Sequence, residues 1–282
     1  MNGHSPLVRD ALVDARRLGL ERLDAQLLLA HVMGQPRSWL LAHEDAALDD
    51  GQDERFQALA RRRAAGEPFA YLVGEREFHG LTLAVDPAVL VPRPDTETLV
   101  DWALDLLRDD PREAPAVLDL GTGSGAIALA VKNGCPRARV WAAERSAAAL
   151  AVARANAERL RLEVAFARGD WWHALADAAD VPVFDMVVSN PPYLALDDPH
   201  LPDLVHEPRA ALVSEDAGLA DIRAIATGAR GRLRSGGWLL FEHGWTQADA
   251  VAAILLEAGF GAIATRHDIE GRARCTGGVL GA

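Results

Sequence analysis

The segment "VLDLGTGSGAIALA", residues 117–130, leads from an apolar run into a helical pattern through three glycines. The apolar run predicts a buried strand, and the residues after Gly125 predict a helix. Because glycine tolerates positive φ and lets a ligand approach the backbone, Gly121, Gly123 and Gly125 predict a tight turn able to receive a ligand. In open α/β sheets, ligands bind beyond the carboxyl ends of the strands, where such a turn lies.

Apolar runs and helical stretches alternate along the rest of the chain. We expect strands over "AVLDL", "ARVWAAE", "LEVAFAR", "FDMVVSN", "GGWLLFEHG", "GAIATRHDI" and "RCTGGVL". Continuously apolar strands separated by helices predict a mostly parallel sheet covered on both faces, a Rossmann-like α/β fold. Since no helix separates the last two strands, one of them is expected to run antiparallel.

The amino-terminal part has helical periodicity only. Its first helix is expected to begin with Ser5 as the N-cap and Pro6 at the first position. The alternating segment "REFHGLTLAVDP" then predicts a hairpin that turns at Gly80. These patterns divide the chain into a helical bundle over 1–73, a hairpin linker over 74–94 and an α/β domain over 95–282.

The chain of 282 residues is acidic, with a formal net charge of −12 at pH 7. This balance argues against a partner that is bound mainly through its phosphates, so we expect no direct nucleic-acid binding. The two cysteines, Cys135 and Cys275, lack disulfide or metal spacing, and no metal is expected. The sequence has no signal-peptide pattern and no apolar run of about 18 residues, which predicts a cytoplasmic protein, monomeric by default.

Further residues of the glycine turn and the next strand carry a cofactor signal. Glu144 ends the second predicted strand, where its carboxylate can accept hydrogen bonds from ribose hydroxyls. The spacing G-x-G-x-G, with Thr122 and Ser124 between the glycines, resembles motif I of S-adenosylmethionine-dependent methyltransferases. A turn that binds no ligand and a turn that binds NAD remain as alternatives.

Asp170 and Trp171 follow the third predicted strand. A carboxylate there can accept from an adenine amino group, and an indole can cover the adenine face. The alternative is that Trp171 and Trp172 are packing residues at the start of a helix.

The fourth predicted strand ends in "VSNPPYLA", residues 188–195. The Asn190 side-chain oxygen and the Pro191 carbonyl can each accept one N–H of a planar NH₂ group. Pro191 and Pro192 stiffen the loop, and Tyr193 can stack on the substrate. The alternative is a loop that only terminates the strand.

Three further segments carry a family resemblance: "YLVGEREFHGLTLAVDPAVLVPRPDTETLV", "SNPPYLALDDPHLPDLVHEPRAALV" and "GGWLLFEHGW". Together with the glycine turn they resemble the HemK/PrmC family of peptide chain release factor N5-glutamine methyltransferases. The resemblance implies a helical domain, a hairpin linker and a seven-stranded class I methyltransferase domain. It also implies methyl transfer from S-adenosylmethionine, which leaves S-adenosylhomocysteine, to the glutamine in the GGQ motif of class I release factors.

By the same resemblance, Gly121 to Gly125, Glu144 and Trp171 bind the cofactor, Asn190 to Tyr193 bind the substrate, and Phe78 and Arg93 wall the site. We expect Asn190 to contact the cofactor as well. An ordinary surface ion pair is the alternative for Arg93. Glu144 stands where the family more often has Asp, and His79 and His206 also depart from the family pattern. We assign no role to either histidine.

Two other functions fit parts of the sequence. A nucleic-acid adenine-N6 methyltransferase would present a similar NH₂ group to the loop, but it needs a basic face. The stretch "ARRRAAG" is notably basic, and it is more typical of a solvated helix face. A nonenzymatic S-adenosylmethionine sensor is the second alternative, against which the intact NPPY loop counts.

Overall fold

The computed structural model describes residues 6–176, 178 and 180–281. The chain forms two compact units, a helical unit that ends at Gly74 and an α/β unit that begins at Glu75. Ser5, the expected first N-cap, lies outside the described residues. Within the described part of the chain, no helix is long and apolar enough to cross a membrane.

The helical unit packs its helices around an apolar core that includes Leu28, Leu40 and Phe56. Its helices are α1 Val8–Arg17, α2 Arg22–Met33, α3 Arg37–Ala42, α4 Asp50–Ala64 and α5 Phe69–Val73. Helix α2 ends at Gly34, whose φ of +64° matches the expected glycine stop. Helices α3 and α5 were not expected, because runs of six and five residues are too short to show a helical period.

The basic stretch of α4 is engaged inside the helical unit. Arg62 pairs with Glu67 at 2.5 Å, and Arg63 pairs with Asp24 at 2.6 Å. Two of its three arginines are therefore already neutralised by carboxylates of the same unit.

The α/β unit begins with an antiparallel hairpin, which consists of β1 Glu75–Phe78 and β2 Leu81–Ala84. The strands of its main sheet are β3 Ala116–Leu120, β4 Arg139–Glu144, β5 Val164–Arg168, β6 Phe184–Ser189, β7 Leu233–Glu242, β8 Phe260–His267 and β9 Ala273–Leu280. The helices are α6 Glu97–Arg108, α7 Ala126–Gly134, α8 Ala147–Leu160, α9 Glu215–Gly218, α10 Ala220–Gly228 and α11 Ala248–Glu257.

The seven strands lie in the order β5-β4-β3-β6-β7-β9-β8. Strands β3 to β7 pair in parallel, and β9 runs antiparallel to both β7 and β8. Every residue of β3 and β6 is buried, as expected for central strands covered on both faces. The predicted fold class and the antiparallel strand near the carboxyl end are both confirmed.

The strand order reverses between β3 and β6, because β3 leads to β4 on one side and β6 lies on the other. In the register of this pair, Leu120 lies opposite Ser189, and the Ser189 hydroxyl donates to the Leu120 carbonyl at 2.7 Å. The glycine turn leaves the sheet at Gly121 and the NPPY loop leaves it at Asn190. The two loops therefore start side by side at the switch point.

The hairpin is attached to the glycine turn through Asn156 of α8, which is fully buried. Its Oδ1 accepts from the Ala84 N–H at 2.7 Å, and its Nδ2 donates to the Ala84 carbonyl at 3.0 Å and the Ser124 carbonyl at 2.9 Å. One amide side chain thus joins the hairpin, α8 and the turn after β3.

A buried carboxylate, Asp185, lies near the amino-terminal end of the central strand β6. Its Oδ2 accepts from the Ala116 N–H at 2.7 Å. Its Oδ1 forms ion pairs with Arg112, at 2.9 Å, and with Arg234.

We expect Asp185→Asn to lower the free energy of unfolding by about 1–3 kcal/mol, because it removes the buried negative partner of two partly exposed guanidinium groups. Chemical denaturation measures the change. The control is Glu270→Gln, which removes an exposed ion pair with Arg272 and should cost less than about 1 kcal/mol. Equal effects of the two substitutions would show that the buried cluster does not stabilise the sheet.

Candidate active site

A cavity lies at the carboxyl ends of β3 to β6. Several residues predicted from the sequence line it: Gly121, Gly123, Glu144, Asp170, Trp171, Asn190 and Pro192. Two segments that were not predicted complete the wall, one formed by residues 88–90 and the other by Pro208, Ala210 and Ala211. The cavity therefore combines polar groups at the strand ends with an apolar wall.

The glycine turn has the conformation that its sequence predicts. Gly121 and Gly123 have φ values of +78° and +55°, and a Cβ at Gly121 would lie 3.1 Å from the Trp171 ring. Thr122, Ser124 and Gly125 are not among the lining residues; Thr122 and Ser124 are buried, and Gly125 precedes α7 with a φ of +87°. These three residues shape the turn, while Gly121 and Gly123 present backbone to the cavity.

Asp119 holds the turn from below. Its Oδ2 accepts from the Thr122 hydroxyl at 2.6 Å and from the Ala128 N–H at 3.2 Å. Complete burial raises the pKa of Asp119 to about 7, and these two hydrogen bonds oppose the rise.

Glu144 is oriented by backbone N–H groups at the end of β4. Its Oε2 accepts from Gly123 at 3.0 Å, and its Oε1 accepts from Ser146 at 2.8 Å. Each carboxylate oxygen keeps a further lone pair, so the group can also accept hydrogen bonds from a diol in the cavity. The longer arm of Glu compared with Asp is therefore accommodated.

The two adjacent tryptophans have different surroundings. Trp171 lines the cavity, and its indole N–H donates to Asp221 at 3.1 Å. Trp172 packs against the apolar core, and its indole N–H donates to the Ile225 carbonyl at 2.9 Å. Trp171 packs against the same core, so the packing interpretation describes both residues, and Trp171 alone of the two also lines the cavity.

The NPPY loop is held by polar groups from distant parts of the chain. The Asn190 Nδ2 donates to the Thr96 hydroxyl at 3.3 Å, and the Tyr193 hydroxyl donates to Glu242 at 3.4 Å. Burial raises the pKa of Glu242 to about 7, and burial also raises the pKa of Tyr193. Asn190 and Pro192 line the cavity, while Pro191 is buried and Tyr193 is half-buried behind it.

The Tyr193 backbone is supported from behind. The Gln247 Nε2 donates to the Tyr193 carbonyl at 3.0 Å and to the Ala217 carbonyl at 3.2 Å. A Cβ at Gly218, where φ is +85°, would lie 2.0 Å from the Tyr193 oxygen. A side chain at this position cannot fit unless the loop moves.

Glu207 joins the two unpredicted wall segments. It accepts from the Val91 N–H at 3.1 Å and pairs with Arg93, and its side chain is only 3% exposed. Arg93, whose side chain is 38% exposed, is thus paired with a buried carboxylate, which is a different environment from an ion pair between two exposed side chains. Phe78 is buried in the core, and the His79 ring contacts Asp101 at 2.9 Å, so neither side chain lines the cavity.

Comparisons with known proteins identify both parts of the chain. Residues 8–74 match the family model "PrmC N-terminal domain", and residues 97–215 match "Methyltransferase small domain". The release factor glutamine methyltransferase of Bordetella pertussis is 51% identical over 97% of this chain and 99% of its own length. The chain belongs to the release factor glutamine methyltransferase family. The Escherichia coli family member is 43% identical over 93% of this chain and 91% of its own length.

A solved structure supports the fold independently. The 16S rRNA N2 G1207 methyltransferase of T. thermophilus, in complex with AdoMet and guanosine, is 21% identical with a TM-score of 0.53. It covers 73% of this chain, and the match covers 49% of the other chain. For this member of the release factor glutamine methyltransferase family, the comparison shows the fold alone.

Sequence reasoning missed the residues that support the NPPY loop: Thr96, Gly218, Glu242 and Gln247. Only Glu242 had a readable signal, because it ends an apolar strand as Glu144 does. Thr96, Gly218 and Gln247 have no such signal, because only the folded chain places them against the loop.

We expect Gly218→Ala to displace the Tyr193 carbonyl and to reduce methyl transfer strongly, because the added Cβ overlaps that oxygen. Gly231→Ala is the matched control, since its φ is +81° and no atom lies within 4 Å of its Cβ position. The control should cost only about 1 kcal/mol of stability for the positive φ. Thermal unfolding and transfer rates measure both effects, and equal rates in the two variants would contradict the predicted role of Gly218.

Proposed function

We propose that the protein transfers a methyl group from S-adenosylmethionine to the side-chain N5 of the glutamine in the GGQ motif of class I peptide chain release factors. One observation carries this proposal. Leu120 pairs with Ser189, so the glycine turn and the NPPY loop leave the sheet side by side. The assignment of the substrate is supported by the relatives, which match this chain over nearly their full length and are named release factor glutamine methyltransferases.

The cavity residues fit S-adenosylmethionine. A Cβ at Gly121 would lie only 3.1 Å from the Trp171 ring at a positive φ, and the Glu144 carboxylate has acceptor capacity left after its two N–H partners. We assign the ribose hydroxyls to Glu144, the adenine amino group to Asp170 and the adenine face to Trp171. When bound, the cofactor supplies an electrophilic methyl group on a sulfonium ion.

The amide nitrogen of glutamine is a weak nucleophile, because its lone pair is delocalised. The Asn190 Oδ1 and the Pro191 carbonyl accept its two N–H groups, so the nitrogen is held with its lone pair toward the methyl group. Pro192 keeps the loop rigid, and the bond from the Tyr193 hydroxyl to Glu242 holds the end of the loop. Such alignment can lower a barrier by about 7–11 kcal/mol in favourable cases.

No anion develops during the transfer, so the site needs no oxyanion hole. The nitrogen–carbon bond forms as the sulfur–carbon bond breaks, and the bonding pair stays on sulfur as S-adenosylhomocysteine. The positive charge passes to the nitrogen, which then releases a proton to water.

Every described residue that lines the cavity belongs to the α/β unit, so we assign the reaction to that unit. We propose that the enzyme acts as a monomer in the cytoplasm, where release factors work at the ribosome. The partner that this function requires is the GGQ-containing domain of a release factor.

The direct test is incubation of the purified protein with labelled S-adenosylmethionine and a class I release factor. Mass spectrometry should locate one added methyl group on the GGQ glutamine. A release factor with that glutamine replaced should stay unlabelled, and equal labelling of both factors would refute the substrate assignment.

We expect Asn190→Ala to reduce the turnover of methyl transfer by about 100-fold or more, because the amide loses an acceptor that orients it. Cofactor binding, measured by calorimetry, should persist. Asn133→Ala, an exposed position on α7, is the control and should keep normal turnover. Near wild-type turnover in Asn190→Ala would disprove the orienting role.

A further inference from the structure

One wall of the cavity, the segment of residues 208–211, is anchored at both of its ends. Before it, Glu207 accepts from the Val91 N–H at 3.1 Å, and the Glu207 side chain is only 3% exposed. After it, the Leu194 N–H donates to the Leu212 carbonyl at 3.0 Å. These contacts fix the ends of the 208–211 segment, and its middle has a different support.

The middle of the 208–211 segment is held by a side chain from the edge of the sheet. Arg145 stands between Glu144, which ends β4, and Ser146, the N-cap of α8. The Arg145 Nη2 donates to the Ala210 carbonyl at 2.9 Å, and both residues line the cavity. This hydrogen bond therefore connects the sheet edge to the wall of the cavity.

The two partners of this hydrogen bond differ in how firmly their backbones are held. On the side of Arg145, the Ser146 N–H donates to the Glu144 carboxylate at 2.8 Å, and α8 begins at the next residue. On the side of Ala210, the segment forms the three-residue 3-10 turn Arg209–Ala211. Because so short a turn makes few hydrogen bonds of its own, its position depends on contacts such as the one from Arg145.

The hydrogen bond from Arg145 also differs from the anchor at Glu207 in its exposure. Arg145 and Ala210 are both exposed, whereas the Glu207 side chain is buried. Water can therefore take the place of the guanidinium at the Ala210 carbonyl, and the net contribution of this bond to stability is small.

We propose that Arg145 is a positioning residue for the cofactor, because it holds the 208–211 segment in place as a wall of the cavity. A wall that is ordered before binding loses less conformational entropy when S-adenosylmethionine binds, so the affinity rises. The inference goes beyond the proposed function, since it concerns the cofactor and not the methyl acceptor. Only its turnover measurement rests on that function.

The first measurement tests the order of the wall in the full-length protein without cofactor. Arg145→Met keeps a long unbranched side chain and removes the donors. The Ala211 N–H donates to the Pro208 carbonyl at 2.8 Å, and the Leu212 N–H donates to the Arg209 carbonyl at 3.1 Å. Hydrogen exchange of these two N–H groups, followed by NMR, should be several-fold faster in Arg145→Met than in the wild type, and unchanged exchange would overturn the proposal.

Arg230→Met is the matched control. Arg230 is also an exposed arginine of the α/β unit, its Nε donates to the Ala258 carbonyl at 3.3 Å, and neither residue lines the cavity. This variant should keep wild-type exchange at Ala211 and Leu212 and wild-type affinity for the cofactor. Effects equal to those of Arg145→Met would show that the wall responds to the loss of any such bond, and would overturn the proposal.

The second measurement is the affinity for S-adenosylhomocysteine, determined by calorimetry. Arg145→Met should raise the Kd by about fivefold to tenfold, which is the effect of one ordinary hydrogen bond. A weaker affinity without faster exchange would mean that Arg145 acts by contacting the cofactor directly, and would overturn its role through the wall. Faster exchange with an unchanged Kd would also overturn the proposal.

The third measurement separates binding from chemistry in methyl transfer to a release factor. In Arg145→Met the KM for S-adenosylmethionine should rise by a factor similar to that of the Kd, while kcat at saturating cofactor changes by less than about twofold. A fall in kcat with an unchanged KM would contradict the proposed role. A wild-type protein that methylates no release factor counts against the proposed function, while exchange and affinity still decide the role of Arg145.

Discussion

The site depends on the pairing of β3 with β6, which the Ser189 hydroxyl reinforces by its bond to the Leu120 carbonyl. The two loops to which we assign cofactor and substrate binding begin at the residues directly after this pair. Their separation is therefore set by strand register, and a slip of one residue would turn each side chain to the opposite face of the sheet. Since both strands are buried throughout, the register is strongly specified.

Three carboxylates, Asp119, Glu144 and Glu242, lie at or near the carboxyl ends of strands, and they differ in burial and in hydrogen-bond donors. Glu144 faces the cavity and is oriented by two backbone N–H groups. Asp119 and Glu242 are fully buried, and burial raises the pKa of each to about 7. Desolvation of this kind is costly, and the donors offset it only in part. Among the described residues, Asp119 Oδ1 and Glu242 Oε2 have no hydrogen-bond partner, while the other oxygen of each carboxylate accepts from a hydroxyl group.

Much of the fold was predictable because its signals are local. Apolar runs identify the strands, and the glycine spacing locates the turn at Gly121. The supports of the NPPY loop were not predictable, because Asn190 and Thr96 are 94 residues apart and Tyr193 and Glu242 are 49 apart. Such contacts form only when the sheet has folded, and the periodicity of apolar residues does not predict them.

The wall segments and the two tryptophans illustrate the same limit. The buried hydrogen bond between Glu207 and Val91 spans 116 residues, so no local pattern in the sequence identifies Glu207 as the partner of Arg93. Trp171 lines the cavity and Trp172 does not, and Trp171 has a positive φ of +42°. Neither composition nor spacing reveals that local backbone choice.

The Asn156 amide has a practical consequence for dissecting the enzyme. A fragment that starts at the family-model boundary near residue 97 would lack the Ala84 backbone groups that this amide binds, and would leave its buried oxygen without that donor. The same amide also holds the Ser124 carbonyl, so the loss would reach the cofactor turn. A catalytic fragment should therefore begin no later than Glu75, so that it keeps the hairpin to which Asn156 binds.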